Sequence, residues 1–124
     1  MGYAPQHTLR GSLIVPPQLD LDRLSQSFSA VARHQGWASL HSPKSLACAL
    51  SVEAGELLCL FQWQNDKATH IAAQAPAPAA VAAELADIVL YANALADQLD
   101  IDLCEALEQK CAVNERRFGP ANDE

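Results

Sequence analysis

Apolar residues recur at helical spacing in four separate stretches of the chain, and no stretch shows the strict alternation of a strand. Leu21, Leu24, Phe28 and Val31 mark a first helix, with Asp20 placed to cap its start and Gly36 to end it. Ser42 and Pro43 open a second that runs to about Gln64; Pro43 takes the first helical position, where a missing N–H does no harm. A third spans about Ala79 to Leu99 on a stripe of Val81, Leu85, Ile88, Ala92, Leu95 and Leu99. The fourth, about Asp102 to Phe118, packs on Leu103, Leu107 and Cys111 and stops before Gly119 and Pro120. Four helices with short connections predict an all-α, four-helix bundle-like fold. Residues 1–17, rich in glycine and proline, read as an irregular arm, 18–119 as the helical domain and 120–124 as a tail, with Asn65 to Ala80 a flexible connection.

One position breaks the pattern. Leu46, Leu50, Leu57 and Leu60 form a single stripe on the second helix, and Glu53 falls near its middle. An ionised carboxylate buried there without a partner costs more than the stripe returns, so it must be protonated, paired with a cation or bound to a metal. Glu56 follows one turn on, and Glu84 and Asp87 lie three apart along the flank of the third helix. Packed together, the two helices set four carboxylates opposite one another. Acidic pairs alone are common on solvated helix faces; two pairs on consecutive helices, one inside a leucine stripe, favour a cation site. The donors are all oxygen, without the histidine that redox metals take in helical bundles, which suits Mg²⁺ with Mn²⁺ tolerated. Mg²⁺ keeps waters and binds substrate phosphates, so a phosphorylated small molecule is the expected ligand.

At 124 residues, half of them hydrophobic, the chain predicts one domain. A net charge of -7 argues against binding a nucleic-acid polymer, yet a metal on the carboxylates would reverse the local sign and hold a phosphate chain. No apolar run is expected to span a membrane and the first residues lack a signal pattern, so a cytoplasmic protein is expected. Cys48, Cys59, Cys104 and Cys111 show no C-x-x-C spacing and are expected as buried thiols. Cys48, Val52, Leu58, Cys59 and Leu90 are apolar but lie off the stripes, which implies a subunit contact.

Six segments in order carry a resemblance: Gly36-Trp37, His41 to Ser45 (HSPKS), Ser51 to Leu57 (SVEAGEL), Phe61 to Trp63, Glu84 to Tyr91 (ELADIVLY), and Lys110-x-x-x-Asn114-x-x-Arg117-Phe118. Over roughly Leu19 to Phe118 the chain resembles the MazG-like nucleotide pyrophosphohydrolases, most of all their short dCTP pyrophosphatase-like members. The resemblance implies Mg²⁺-dependent cleavage of a nucleoside triphosphate, dCTP-like first, between its α- and β-phosphates, giving monophosphate and pyrophosphate and clearing unwanted nucleotides. It implies Glu53, Glu56, Glu84 and Asp87 as metal ligands, one of them also orienting or deprotonating the attacking water. Lys110, Asn114 and Arg117 would contact phosphate or sugar, with Lys44 a further phosphate contact, and Trp37, His41, Trp63 and Tyr91 would wall the base pocket. It also implies a homodimer or homotetramer. Phe28 stands where relatives carry a histidine, Ser45 where they carry an asparagine, and Val52 where an acidic residue precedes the first metal glutamate. The alternatives are a dUTP diphosphatase or phosphoribosyl-ATP pyrophosphohydrolase-like activity, and a non-catalytic metal-binding module for helical oligomerisation.

Overall fold

The computed structural model describes residues 18–64 and 75–120; the arm over 1–17, most of the connection before the third helix and residues 121–124 of the tail lie outside them. Four helices follow in order: α1 (Leu21–Gln35), α2 (Pro43–Leu60), α3 (Pro78–Gln98) and α4 (Leu103–Phe118), with a 3₁₀ turn over Ala38–Leu40. No strand occurs among the described residues, so the chain is all-α.

The helix ends form by the chemistry their residues carry. The Asp20 carboxylate accepts from the Arg23 N–H at 3.1 Å, the Ser42 hydroxyl from the Ser45 N–H at 3.1 Å, and the Asp102 carboxylate from the Glu105 N–H at 3.0 Å. Gly36 closes α1 in the left-handed region, φ 74°, where a side chain would be strained. α2 stops at Leu60, short of Gln64, because the Phe61 and Gln62 N–H groups turn back to the Leu58 and Cys59 carbonyls at 3.0 and 3.3 Å, a tighter closure than the α-helix allows. The 3₁₀ turn has no periodic signature in sequence; it is held by the Leu40 N–H donating to the Trp37 carbonyl at 2.8 Å.

α2 and α3 form the main interface, and α1 packs on α3. Leu46, 1 % exposed, is the deepest large side chain. Buried Asn93 donates from Nδ2 to the Leu21 carbonyl at 2.9 Å and pins α3 to the start of α1; nearby, the Ser25 hydroxyl donates to the Asp97 carboxylate. α3 is long and apolar enough to cross a membrane by length and composition, mean hydropathy 1.5, contrary to the expectation that no run would be. Both α1 and α2 pack against it, while Leu85 and Val89 remain exposed.

α4 shares no extensive contact with the other helices and buries none of its residues. Among the described residues the buried apolar set is correspondingly small, Ala32, Leu46, Ala94 and Ala96, while fourteen large apolar residues stay exposed. The four cysteines are exposed, not buried as expected. Cys48 and Cys59 sit on the face of α2 opposite its leucine stripe, and Cys104 and Cys111 on the loosely packed α4, so none of the other described residues covers them.

Candidate metal centre and adjoining cavity

Packing α2 on α3 turns the leucine stripe of α2 inward and takes Glu53 with it. There Glu53 meets Glu84 and Asp87: one oxygen from each lies within 4.8 Å of the others. Glu53 and Glu84 are half-buried, while Asp87 is exposed at the edge. Oε2 of Glu53 and Oε2 of Glu84 are shut off from solvent and have no hydrogen-bond partner. Two carboxylates cannot hydrogen-bond while both are ionised; a shared proton or a cation must stand between them.

Glu53 therefore holds its proton up to about 7. The largest cause is the hydrogen bond to Glu84, which exists only when one of the two acids keeps a proton; burial and the negative charges of Glu56 and Asp87 push the same way. The donor set also fits a hard divalent cation, since the oxygens converge, are all carboxylate, and two of them have nothing else to bind. Glu56 lies outside the three-residue cluster, exposed, yet close enough to act on Glu53.

Asp87 has a second neighbourhood. It lines a cavity of about 200 Å³ together with Phe28, Val31, Trp37, His41, Leu90 and Tyr91. The Phe28 ring centroid is 5.4 Å from that of His41 and 5.5 Å from that of Tyr91, the latter edge-on. Three of the four expected base-pocket residues, Trp37, His41 and Tyr91, thus come together beside a cluster carboxylate. Trp63 does not join them; it follows the end of α2 and is 86 % exposed. Leu90 lines this cavity instead of facing outward, because its position on α3 points it toward α1. Phe28 holds a central place in this aromatic wall; in sequence it was marked by the α1 apolar stripe and by standing where relatives carry a histidine, but was not among the expected base-pocket residues.

Lys44 is exposed in the first turn of α2, and Lys110, Asn114 and Arg117 are exposed on α4. The Arg117 guanidinium lies over the neighbouring Phe118 ring at 5.0 Å. α4 makes no extensive contact with α2 or α3, so among the described residues Lys110, Asn114 and Arg117 stand on a helix that is not packed against the carboxylate pair of helices.

Residues 48–124 match the MazG-like family. The chain is similar to dCTP pyrophosphatase 1 of Bos taurus, 38 % identical over 104 residues, covering 83 % of this chain and 60 % of that protein. It is similar to dCTP pyrophosphatase 1 of Homo sapiens at 36 % identity over 117 residues, 94 % of this chain and 62 % of the relative. The chain thus spans 60 to 62 % of the length of these curated relatives. Among solved structures it is similar to a pyrophosphatase from Archaeoglobus fulgidus, with a TM-score of 0.70 and 29 % identity, over 87 % of this chain and the whole of that one.

Proposed function

The chain belongs to the MazG-like family, and from that membership and the carboxylate cluster we propose that it is a Mg²⁺-dependent nucleoside triphosphate pyrophosphohydrolase. Its substrate is a (d)NTP, dCTP-like first, cleaved to monophosphate and pyrophosphate in the cytoplasm. The observation that carries this reading is the convergence of Glu53, Glu84 and Asp87 with two orphaned oxygens, set directly beside an aromatic cavity through Asp87.

In this reading Glu53, Glu84 and Asp87 hold the ion. Bound Mg²⁺ supplies neutralisation of the phosphate charge and a coordinated water of lowered pKa. The chain's own side chains do the rest. Trp37, Phe28 and Tyr91 offer ring faces and edges to the base, and His41 gives that wall its hydrogen-bonding atoms. The cavity's size suits one base, with the phosphates left toward the acids. Glu56, exposed and one turn from Glu53, is the carboxylate that orients the attacking water and takes its proton. The working assembly is a homodimer or homotetramer, in which Trp63, Lys110, Asn114 and Arg117 serve a site only through contact with a neighbouring copy.

The test is pyrophosphate release from a panel of nucleotides with Mg²⁺, against the Glu53→Gln variant. A protein that binds Mg²⁺, gains nothing further from nucleotide and releases no pyrophosphate would instead be the non-catalytic helical module.

A further inference from the structure

Between α1 and α3 lies a groove of about 440 Å³, larger than the cavity beside Asp87. Phe28, Ala32 and His41 line both, so the two share a wall. The groove is open because the residues along this seam are small: Ser25, Ser29 and Ala32 on α1, Ala94 on α3 and Ala38 on the 3₁₀ turn. A seam built for stability alone fills such positions with large apolar side chains. Its floor is buried and apolar, with Leu46, Ala32 and Ala94 the deepest residues there.

The charged groups of the groove are anchored at two ends. The Ser25 hydroxyl donates to Oδ2 of Asp97, which ties that carboxylate to the Ser25 end and leaves its second oxygen for a ligand. Arg33 follows Ser25 on the same face of α1, eight residues and about 12 Å further along. Neither the Arg33 guanidinium nor the His41 imidazole has a hydrogen-bond or ion-pair partner among the described residues, although the chain carries a net charge of -7. Phe28 and Ser29 fall between the two ends.

A guanidinium takes a phosphate or carboxylate through two parallel hydrogen bonds. A carboxylate accepts from N–H donors and repels a second anion. The ligand that suits this groove is therefore anionic at one end and an N–H donor at the other, with a flat body between to lie against Phe28. A free amino acid carries both charges on one carbon and does not span that length.

We propose that the groove between α1 and α3 is a second nucleotide site, taking a nucleoside monophosphate whose base bears an amino group. Its phosphate sits on Arg33, its sugar beside Ser29 and its amino group on Asp97. The choice of ligand rests on the enzymatic reading, of which such a monophosphate is the product; the site itself uses none of the four carboxylates of the metal centre.

Titration calorimetry with dCMP in a chelator reads the site without turnover. A saturable binding event is expected that Trp37→Ala leaves in place, since Trp37 lines the other cavity and not this groove. Arg33→Gln is expected to weaken it roughly 10-fold or more, and Arg33→Lys, with the charge but not the fork, to fall between. The unsubstituted protein is expected to favour dCMP over dUMP, which offers Asp97 a carbonyl in place of the amino group. Asp97→Asn, whose amide still accepts from Ser25 and can also donate to that carbonyl, is expected to lose the preference. Arg33 and Asp97 are both exposed, so the variants are expected to melt as the unsubstituted protein does. No binding, binding abolished by Trp37→Ala, or binding indifferent to Arg33→Gln overturns the site. Pyrophosphate release from the same protein separates the two readings. Arg33-dependent binding in a protein inactive on every nucleotide sinks the enzymatic one alone, and an active protein without such binding sinks this one alone.

Discussion

Glu53 on α2 and Glu84 on α3 each hold one carboxylate oxygen out of solvent with nothing to hydrogen-bond. Two such groups on packed helices repel as soon as both ionise, so the α2·α3 interface is strained by its own acids unless a proton or a cation joins them. Metal binding and stability are therefore coupled at one place.

Stability of the metal-free protein is expected to fall as pH rises. Glu53 releases its proton near 4.5 when unfolded but holds it to about 7 when folded. Its contribution is complete below the lower value and drains away as pH climbs through the higher one, because the unfolded chain gives up its proton first. Melting curves in a chelator, from pH about 5 to about 8, are expected to show a falling Tm that Glu53→Gln flattens. A level profile in the unsubstituted protein, or an equal slope in the variant, contradicts this.

Adding Mg²⁺ above neutral pH is expected to reverse that loss. Free ion at about 100 times Kd adds about 2.7 kcal/mol, a Tm rise of several degrees. Glu84→Gln and Asp87→Asn, each removing a ligand of the cluster, are expected to lose most of the shift, as titration calorimetry would also register. Sodium at the same ionic strength is expected to do nothing comparable.

Trp37→Ala tests the cavity. Trp37 is 49 % exposed, so its loss is expected to leave Tm nearly unchanged. Loss of a stacking face costs about 1 to 3 kcal/mol of binding, which predicts a KM for nucleotide raised roughly 5- to 150-fold with kcat little altered. An unchanged KM would remove the base from this cavity.

How much of this was legible in the chain divides along a physical line. Asp20, Ser42 and Asp102 as caps, and Gly36 as a stop, were readable because capping depends on residues within one turn. Glu53 stood out because a carboxylate inside a leucine stripe is wrong in any helix that packs. Periodicity says which residues share a face, but not whether that face meets this chain or another. Hence Leu107 was read as part of a packing face and lies exposed, the cysteines were read as buried and are not, and Trp63 was grouped with Trp37 yet lies apart from it. Leu90 went wrong in the opposite sense, since the position of α1 against α3 supplies a cavity that α3 alone does not reveal.

Asn93→Ala is expected to destabilise without touching chemistry. It leaves the Leu21 carbonyl short of the Asn93 Nδ2 donor and loosens α1 from α3, at about 1 to 3 kcal/mol. The urea midpoint is expected to drop with the m-value unchanged. Activity per folded molecule is expected to stay.

The most direct measurement is pyrophosphate release from each nucleoside triphosphate, with Mg²⁺, by the unsubstituted protein and by Glu53→Gln. Release from at least one nucleotide, with dCTP-like substrates first and a rate lower by on the order of 100-fold or more in the variant, is the predicted result. No release from any nucleotide, or an undiminished rate in Glu53→Gln, would contradict a metal-bearing carboxylate cluster as the seat of catalysis.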